Sequence, residues 1–170
     1  MKAKSAKKAL VSVVMGSDSD LPIMTETTKV LEEFGIDFEL ILTSAHRTPQ
    51  RTTKFAAFAA GRGIKVIVVG AGAAAHLAGV IASQTTLPVI GIPINATALN
   101  GLDALLSTVQ MPGGIPVATM AIGKAGAKNA ALFAARILAL ENKELRTKLS
   151  AYIKKMAKDV EKKQKNLTTT

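Results

Sequence analysis

Residues 64–69 constrain the fold more than any other part of the chain, because Val66, Ile67, Val68 and Val69 follow one another without a polar interruption. A strand with one solvated face would alternate apolar and polar residues, so a continuous apolar run indicates a strand that is covered on both faces. Strands of this kind occur in parallel sheets that carry helices on either side. The run is far shorter than the roughly 20 residues that cross a bilayer.

Strand-like and helix-like segments alternate around this run. Strands are predicted at residues 10–15, 38–42, 88–92 and 116–120, and helices at residues 22–34, 49–61, 74–83, 102–109 and 127–140. Thr48 and Pro49 suit the cap and the first position of the second helix. The alternation predicts an α/β protein, a three-layer αβα sandwich with a flavodoxin-like parallel sheet. In that strand order, a ligand binds at the carboxyl ends of the strands, beside the first and third.

The domain organisation follows from the same segments. Residues 10–140 are predicted to form a single α/β catalytic domain, with a basic tail at 1–9, a helix at 141–166 and a short tail at 167–170. Apolar residues recur at the helical period in the last helix, at Leu145, Leu149, Tyr152, Ile153, Met156 and Val160. Such an amphipathic helix can fold back on its own domain or pack against another subunit. We favour a subunit contact, because the helix follows an already complete α/β unit.

The net charge of +10 is concentrated at the two ends of the chain. Residues 1–10 carry four basic and no acidic side chains, residues 11–140 carry nine and eight, and residues 141–170 carry nine and four. A nucleic-acid-binding face would need a basic stripe on the folded domain, often with aromatic residues, which are scarce here. We therefore expect solvated basic ends and no nucleic-acid partner, and nucleic-acid binding through those ends remains the alternative.

The composition and the motifs exclude several chemistries. Cysteine is absent, which excludes disulfides, thiolate metal ligands and cysteine nucleophiles, and is compatible with a cytoplasmic location. The two histidines and few acids show no metal-ligand spacing. The sequence has no nucleophile elbow for a Ser–His–Asp triad and no Walker lysine loop. We see no signal-peptide pattern at the N-terminus and expect no membrane partner.

The first polar loop, residues 16–20, reads Gly-Ser-Asp-Ser-Asp and follows the first strand. Glycine, two hydroxyls and free amide groups at a helix start suit an anionic oxygen such as phosphate. Asp18 and Asp20 would repel phosphate, so one of them is expected to bind sugar hydroxyls, which gives a phosphoribosyl pocket. Capping of the helix by serine and aspartate explains the same residues equally well.

The second polar loop, residues 44–49, reads Ser-Ala-His-Arg-Thr-Pro and follows the second strand. Arg47 can bind phosphate with two hydrogen bonds, and a histidine such as His46 can transfer protons near neutral pH. A surface histidine beside a surface arginine is the alternative interpretation. We favour catalysis by His46, because the loop lies at the carboxyl end of a strand and opens a helix.

The third loop, residues 70–76, reads Gly-Ala-Gly-Ala-Ala-Ala-His, a form of the dinucleotide-binding fingerprint. That site needs an acidic residue about 20 positions later. None occurs between Glu39 and Asp103, so a nicotinamide cofactor is not expected. The small residues allow either close helix–strand packing or close approach of a ligand to the backbone. His76, on an otherwise apolar helix start, is predicted to be a structural histidine.

Five motifs occur in one order along the chain, at residues 15–20, 44–49, 70–77, 109–118 and 121–132. On these motifs, residues 10–150 resemble the family of N5-carboxyaminoimidazole ribonucleotide mutase, the catalytic-subunit type of phosphoribosylaminoimidazole carboxylase in purine biosynthesis. The sequence Arg-Thr-Pro at 47–49 resembles the mutase branch of the family, and the direct carboxylase branch usually differs there.

The resemblance implies a substrate and an assembly. Ser17 and Arg47 would bind the phosphate of a ribonucleotide, and Asp20 would bind its ribose hydroxyls. In the family, the carboxylate leaves the exocyclic nitrogen as carbon dioxide, is held in a closed pocket and is recaptured at the imidazole C4. No metal, ATP or organic cofactor is required. Family members are octamers, so the resemblance implies a homo-octamer.

The resemblance also implies the residues around the reacting atoms. Ser44 and the backbone of residues 70–72, including Gly72, would border the imidazole and the migrating carboxylate. His46 would be the catalytic residue that shuttles the proton at C4. Physically, such a protein must confine a small neutral gas and place one acid–base group. The alternatives are a direct carboxylase and a non-catalytic phosphoribosyl-binding module on the same sheet.

The chain departs from the family pattern at five positions. Ala73 replaces a second glycine, Ala78 replaces a proline, and Ala96 and Ala104 stand where serines are common. Leu21 replaces a frequent tryptophan. Because the proposed phosphate, ribose and proton-transfer residues are all retained, we expect these changes to affect the shape of the pocket more than the reaction type.

Overall fold

A computed structural model describes residues 8–167. The strands are β1 (Val11–Met15), β2 (Phe38–Leu42), β3 (Val66–Gly72), β4 (Val89–Ile94) and β5 (Ala118–Thr119). The helices are α1 (Leu21–Phe34), α2 (Pro49–Arg62), α3 (Leu77–Ala82), α4 (Leu102–Val109), α5 (Lys124–Ala139) and α6 (Lys143–Leu167), with a 3-10 turn at Asp18–Asp20.

The five strands form one sheet in the order β2-β1-β3-β4-β5, and every pair of neighbours is parallel. This is the flavodoxin-like order, so the predicted fold class is confirmed. The chain starts in the middle of the sheet at β1, moves to β2 and then crosses over to β3. The carboxyl ends of β1 and β3 therefore lie side by side where the order reverses, which is the place where ligands bind in such sheets.

The sheet separates two apolar cores, as the composition of β3 predicts. On one face, Val66 and Val68 pack in a core with α1, α5 and the start of α6. On the other face, Ile67 and Val69 pack in a core with α2 and α3. Four consecutive β3 residues are thus fully buried, at no more than 1% exposure, which explains the absence of a polar alternation.

Several element boundaries differ from the prediction by one to three residues. Helix α3 starts at Leu77 instead of residue 74, because the amide of Ala75 is bonded to the Ser107 side chain of α4 and the backbone bends at Ala73, whose φ is 54°. Strand β4 continues past residue 92 to Ile94, through Pro93. Proline is tolerated there because β5 pairs only with Ile90 and Gly91, so that edge of β4 has no strand neighbour at Pro93. Strand β5 has two residues instead of the predicted five.

Helix α6 does fold back on its own domain over its first two turns. Leu145 and Leu149 are buried in the core that α1 and α5 share, and the Tyr152 ring meets the edge of Phe34 with centroids 5.6 Å apart. Beyond these turns the helix is exposed, including the apolar residues Ile153, Met156 and Val160. The predicted amphipathic C-terminal helix is therefore confirmed, and its apolar face is only half covered by its own chain.

Two further points concern the ends of the chain and the membrane. Nearly all of the predicted basic tail at 1–9, and most of the predicted tail at 167–170, lie outside the described residues. In the part that the structure describes, no helix is long and apolar enough to cross a membrane.

Candidate active site

A pocket of about 380 Å³ lies at the carboxyl ends of β1, β2 and β3. The three polar loops of the sequence enclose it, and all six residues expected from the sequence line it: Ser17, Asp20, Ser44, His46, Arg47 and Gly72. Loops that are far apart in sequence meet here because the parallel strands that precede them end at the same edge of the sheet.

The loop after β1 is held by its own side chains. Ser17 Oγ accepts a hydrogen bond from the Ser19 amide at 3.3 Å, and Asp20 Oδ2 accepts one from the Ser17 amide at 3.0 Å. These reciprocal bonds form a capping box at the 3-10 turn. The two interpretations of this loop therefore do not exclude each other, because Ser17 and Asp20 both cap the turn and line the pocket.

Asp20 is the one buried acid of the pocket, with 5% of its surface exposed. Burial raises the pKa of the Asp20 carboxyl above its ordinary value of 3.8, and the neighbouring charge of Asp18 adds to the rise. The amides of Ser17 and Gly16 oppose the shift, since they stabilise the carboxylate. A partly desolvated carboxylate with a free lone pair is a suitable acceptor for hydroxyl groups.

The loop after β2 has a rigid base and an exposed tip. Thr48 does not cap α2 with its side chain, contrary to the sequence pattern; its Oγ1 accepts from the Ser44 amide at 2.9 Å and lies 3.0 Å from the Ser44 carbonyl oxygen. Ser44 Oγ accepts from the Arg47 amide at 3.2 Å. The Arg47 guanidinium reaches the first loop, where it donates to the Gly16 carbonyl at 3.4 Å. These bonds place Arg47 beside Ser17, where both can bind one anion.

The two histidines meet across the pocket. His46 Nε2 and His76 Nδ1 are 2.9 Å apart, and the rings are nearly perpendicular with centroids 5.1 Å apart. His76 is exposed, lines the pocket and has His46 as its hydrogen-bond partner, so its structural role stays a prediction. His46 therefore has a second histidine as its neighbour. The positional argument that favoured His46 applies equally to His76, because both follow a strand and precede a helix.

Close packing explains the small residues of the third loop. A side chain at Gly70 would collide with the Met24 sulfur, and one at Gly72 would come within 2.5 Å of the Ala96 Cβ. Close packing within the protein therefore explains both glycines. Gly72 and Ala96 also line the pocket, so a ligand there can approach the backbone at Gly72.

The departures from the family pattern fall into two groups. Ala73 and Ala96 line the pocket, so their changes bear directly on its shape. Ala78 and Ala104 are buried in the protein, and Leu21 is exposed on the first turn of α1. Only two of the five departures can therefore touch a ligand in this pocket.

A second cavity, larger than this pocket at about 470 Å³, lies at the opposite, amino ends of the strands. It is bordered by Leu10, Ile36 and Lys65 near the amino ends of the strands, and by the start of α6. None of the candidate site residues reaches it, and we assign the chemistry to the smaller pocket. In residues 8–167, no group of three or more histidine, cysteine, aspartate or glutamate side chains could hold a metal ion.

Comparison with known proteins identifies the family. The family model described as AIR carboxylase matches residues 10–159. The chain belongs to this family. The match includes all three loops of the pocket and the whole of the sheet, so the family assignment covers the candidate site and not only the fold.

Individual relatives divide between two names. The N5-carboxyaminoimidazole ribonucleotide mutase of Pyrococcus horikoshii is 58% identical over 95% of this chain and 90% of its own length. The phosphoribosylaminoimidazole carboxylase of Saccharomyces cerevisiae is 48% identical over 95% of this chain but only 28% of its own length. A crystal structure of PurE from Treponema denticola superposes with a TM-score of 0.84, at 29% identity and with 94% and 98% of the two chains covered.

Proposed function

We propose that this chain is a purine-biosynthesis enzyme that interconverts N5-carboxyaminoimidazole ribonucleotide and 4-carboxy-5-aminoimidazole ribonucleotide, an isomerase that moves a carboxylate. The observation that carries the proposal is the match in length and identity to the mutase of Pyrococcus horikoshii, over 90% of that protein. The carboxylase of similar sequence is more than three times longer than the matched part, so its name describes a larger protein.

The substrate phosphate and ribose have suitable partners on one side of the pocket. Arg47 supplies a planar guanidinium that can form two hydrogen bonds with phosphate, and Ser17 supplies a hydroxyl. Asp20 is buried behind them and accepts hydrogen bonds, which suits ribose hydroxyls. In this arrangement the anionic end of the substrate lies against β1 and the base extends toward β3.

The reacting atoms would lie between Ser44, His46 and Gly72. Cleavage of the bond from the exocyclic nitrogen releases carbon dioxide, and a new carbon–carbon bond forms at C4. The proton that C4 then loses is taken up by His46, and a proton returns to the exocyclic nitrogen, so the two ribonucleotides remain isomers. Gly72 and Ala96 line this part of the pocket, where a carboxylate can lie next to the backbone.

The decisive assay measures conversion of each carboxylated ribonucleotide into the other, without ATP and without bicarbonate. The His46→Asn variant should lose nearly all turnover while it still binds the nucleotide, because the phosphate and ribose partners remain. Full activity of this variant would overturn the proposal for His46. Binding without any turnover in the wild type would instead favour a non-catalytic phosphoribosyl-binding module.

A direct carboxylase is the second candidate, and the name of the Saccharomyces cerevisiae relative favours it. It would form the same 4-carboxylated product from aminoimidazole ribonucleotide and dissolved carbon dioxide. Parallel assays with the two starting materials separate the candidates. The mutase proposal requires efficient use of N5-carboxyaminoimidazole ribonucleotide, and it fails if only the uncarboxylated nucleotide with carbon dioxide gives product.

The proposal includes a homo-octamer working in the cytoplasm on a diffusible nucleotide. A stripe of apolar side chains on α4 supports self-association: Leu102, Leu106 and Val109 lie one and two turns apart and are each about half exposed. The exposed apolar positions of α6 supply a second stripe. Contiguous exposed apolar patches are typical of protein contacts.

A further inference from the structure

The segment between β3 and α3 forms one wall of the pocket and has a conformation that its residues do not favour. Ala73 and Ala74 both face the pocket. Ala73 has a φ of 54°, the left-handed region that glycine adopts freely and alanine seldom does. A residue with a Cβ keeps this conformation only where surrounding contacts hold it there.

Ser107, in the last turn of α4, supplies one such contact. Its Oγ accepts a hydrogen bond from the Ala75 amide at 2.9 Å, across 32 positions of sequence. The same oxygen lies 3.5 Å from the Ala73 carbonyl oxygen, on the other side of Ala74, which is a packing contact and not a second hydrogen bond. The bond to Ala75 therefore fixes the backbone directly after the strained residue and its neighbour.

Ser107 also bonds within its own helix, since its Oγ lies 2.8 Å from the Asp103 carbonyl oxygen. This ordinary bond fixes the hydroxyl and points a lone pair at Ala75. Ala75 is 2% exposed, so its amide has no access to bulk water. Loss of the Ser107 oxygen would leave this buried donor without its partner, which is costly enough to make the loop rearrange.

We propose that Ser107 is a positioning residue for the reaction: it does not touch substrate, but it holds the backbone of residues 73–75 as the wall of the pocket. The wall continues directly into His76, which contacts His46 across the pocket. A shift of this segment would therefore change both the space for the carboxylate and the placement of the histidine pair. This inference rests on the proposed function, since the wall matters only if chemistry occurs there.

The first test compares Ser107→Ala with Ser150→Ala. Ser150 on α6 has the same bond within its helix, from Oγ to the Arg146 carbonyl at 3.0 Å, but it touches no part of the pocket. Ser107→Ala should lower kcat by about tenfold with KM within about twofold, because a small misplacement near the reacting atoms slows the chemical step more than it weakens binding. Ser150→Ala should leave both constants unchanged.

The second test removes the backbone strain at residue 73. If Ser107 acts by holding Ala73 in the left-handed conformation, glycine at position 73 should remove much of the need for it. The loss of kcat caused by Ser107→Ala should then fall from about tenfold to about threefold or less when it is measured in an Ala73→Gly background. A merely structural role of Ser107 predicts the same loss in both backgrounds.

The outcomes separate this inference from the proposed function. Absence of turnover by the wild type would contradict both the proposed function and this inference. Normal wild-type turnover, with Ser107→Ala equal to Ser150→Ala, overturns the positioning role alone. If Ser107→Ala does not fold, Ser107→Thr and Ser107→Val are compared instead, because threonine and valine have the same shape but only threonine keeps the oxygen. The inference predicts that Ser107→Thr retains the wild-type kcat and that Ser107→Val loses it. Equal kcat values for the two variants would contradict the inference.

Discussion

At the scale of single residues, the contact between the two histidines is the feature with the clearest chemical consequence. A hydrogen bond between His46 Nε2 and His76 Nδ1 requires one nitrogen to donate and the other to accept. The tautomer of one ring therefore fixes the tautomer of the other. His76 can orient His46 in this way without taking any proton from the substrate itself.

This division of labour predicts unequal effects of substitution. His76→Ala removes one neutral hydrogen bond, worth about 0.5–1.5 kcal/mol, so kcat should fall by between about twofold and tenfold. His76→Asn, whose amide can occupy the place of Nδ1, should lie closer to the wild type. His46→Asn should be nearly inactive in the same assay. A loss in His76→Ala as large as that in His46→Asn would mean that the two rings act as one catalytic unit.

Single residues also show what the sequence can and cannot predict about the site. All six candidate residues line one pocket, because each lies at or just beyond the carboxyl end of a strand of a parallel sheet. The exposure of His76 has no signal in the sequence, because its apolar neighbours suggest burial. Ala75 and Leu77 on either side of it are indeed buried, but the histidine ring itself turns outward into the pocket. Ser107 has no signal in the sequence, since its contact spans 32 residues.

At the scale of elements, periodicity locates every helix and strand, and the errors lie where tertiary contacts override local preference. Both β2 and α4 have the bounds that the sequence predicts, Phe38–Leu42 and Leu102–Val109. The predicted start of α3 is wrong because three alanines favour a helix locally, whereas Ala73 and Ala75 are held otherwise by α4. No local pattern records a constraint of that kind.

The Glu39 carboxylate links the edge strand β2 to β1 and to α2. Glu39 accepts a hydrogen bond from the buried Ser12 of β1 at 2.6 Å and one from Arg62 at the end of α2 at 2.7 Å. Partial burial alone would raise the pKa of Glu39, but the bonds from Arg62 and Ser12 outweigh it, so the pKa lies below its ordinary value of 4.5. The carboxylate therefore links a strand, its neighbour and a helix.

This link predicts a pH-dependent contribution to stability. Because the pKa of Glu39 is lower in the folded chain, its contribution is present above pH 4.5 and is lost as pH falls through the lowered value. Glu39→Gln should therefore reduce the free energy of unfolding by about 1 kcal/mol at pH 7, a modest value because Arg62 is partly exposed. Urea unfolding of both proteins from pH 7 down to pH 3 measures the difference.

The matched control for this prediction is Glu33→Gln on α1, an exposed position. It removes the same charge without removing the bonds to Ser12 and Arg62. Its effect on unfolding should be small and nearly constant with pH. A difference between wild type and Glu39→Gln that persists unchanged at pH 3 would contradict the role assigned to the carboxylate.

At the scale of the whole molecule, two groups of exposed apolar side chains support the proposed self-association. Half of the large apolar residues exposed in the described part of the chain lie on α4 and α6, and the rest are distributed over other elements. Helix α4 is apolar on its outer side as well as its inner side, which is typical of a helix buried between subunits. The sequence indicates a subunit contact for α6, but it does not distinguish the outer face of α4 from the core.

The proposed octamer predicts the behaviour of one charged substitution on that face. Light scattering should give the wild type a mass of about eight copies of the 17.7 kDa chain, and Leu106→Glu should shift it to smaller species at micromolar concentration. A carboxylate in the middle of an apolar contact would be buried without a partner, at a cost of several kcal/mol.

Leu140→Glu is the matched control, because Leu140 is 78% exposed and lies outside the apolar stripes of α4 and α6. The mass of the Leu140→Glu assembly should equal that of the wild type. A monomeric wild type would contradict the octamer. An octameric mass for all three proteins would instead contradict the place of the outer face of α4 in a subunit contact.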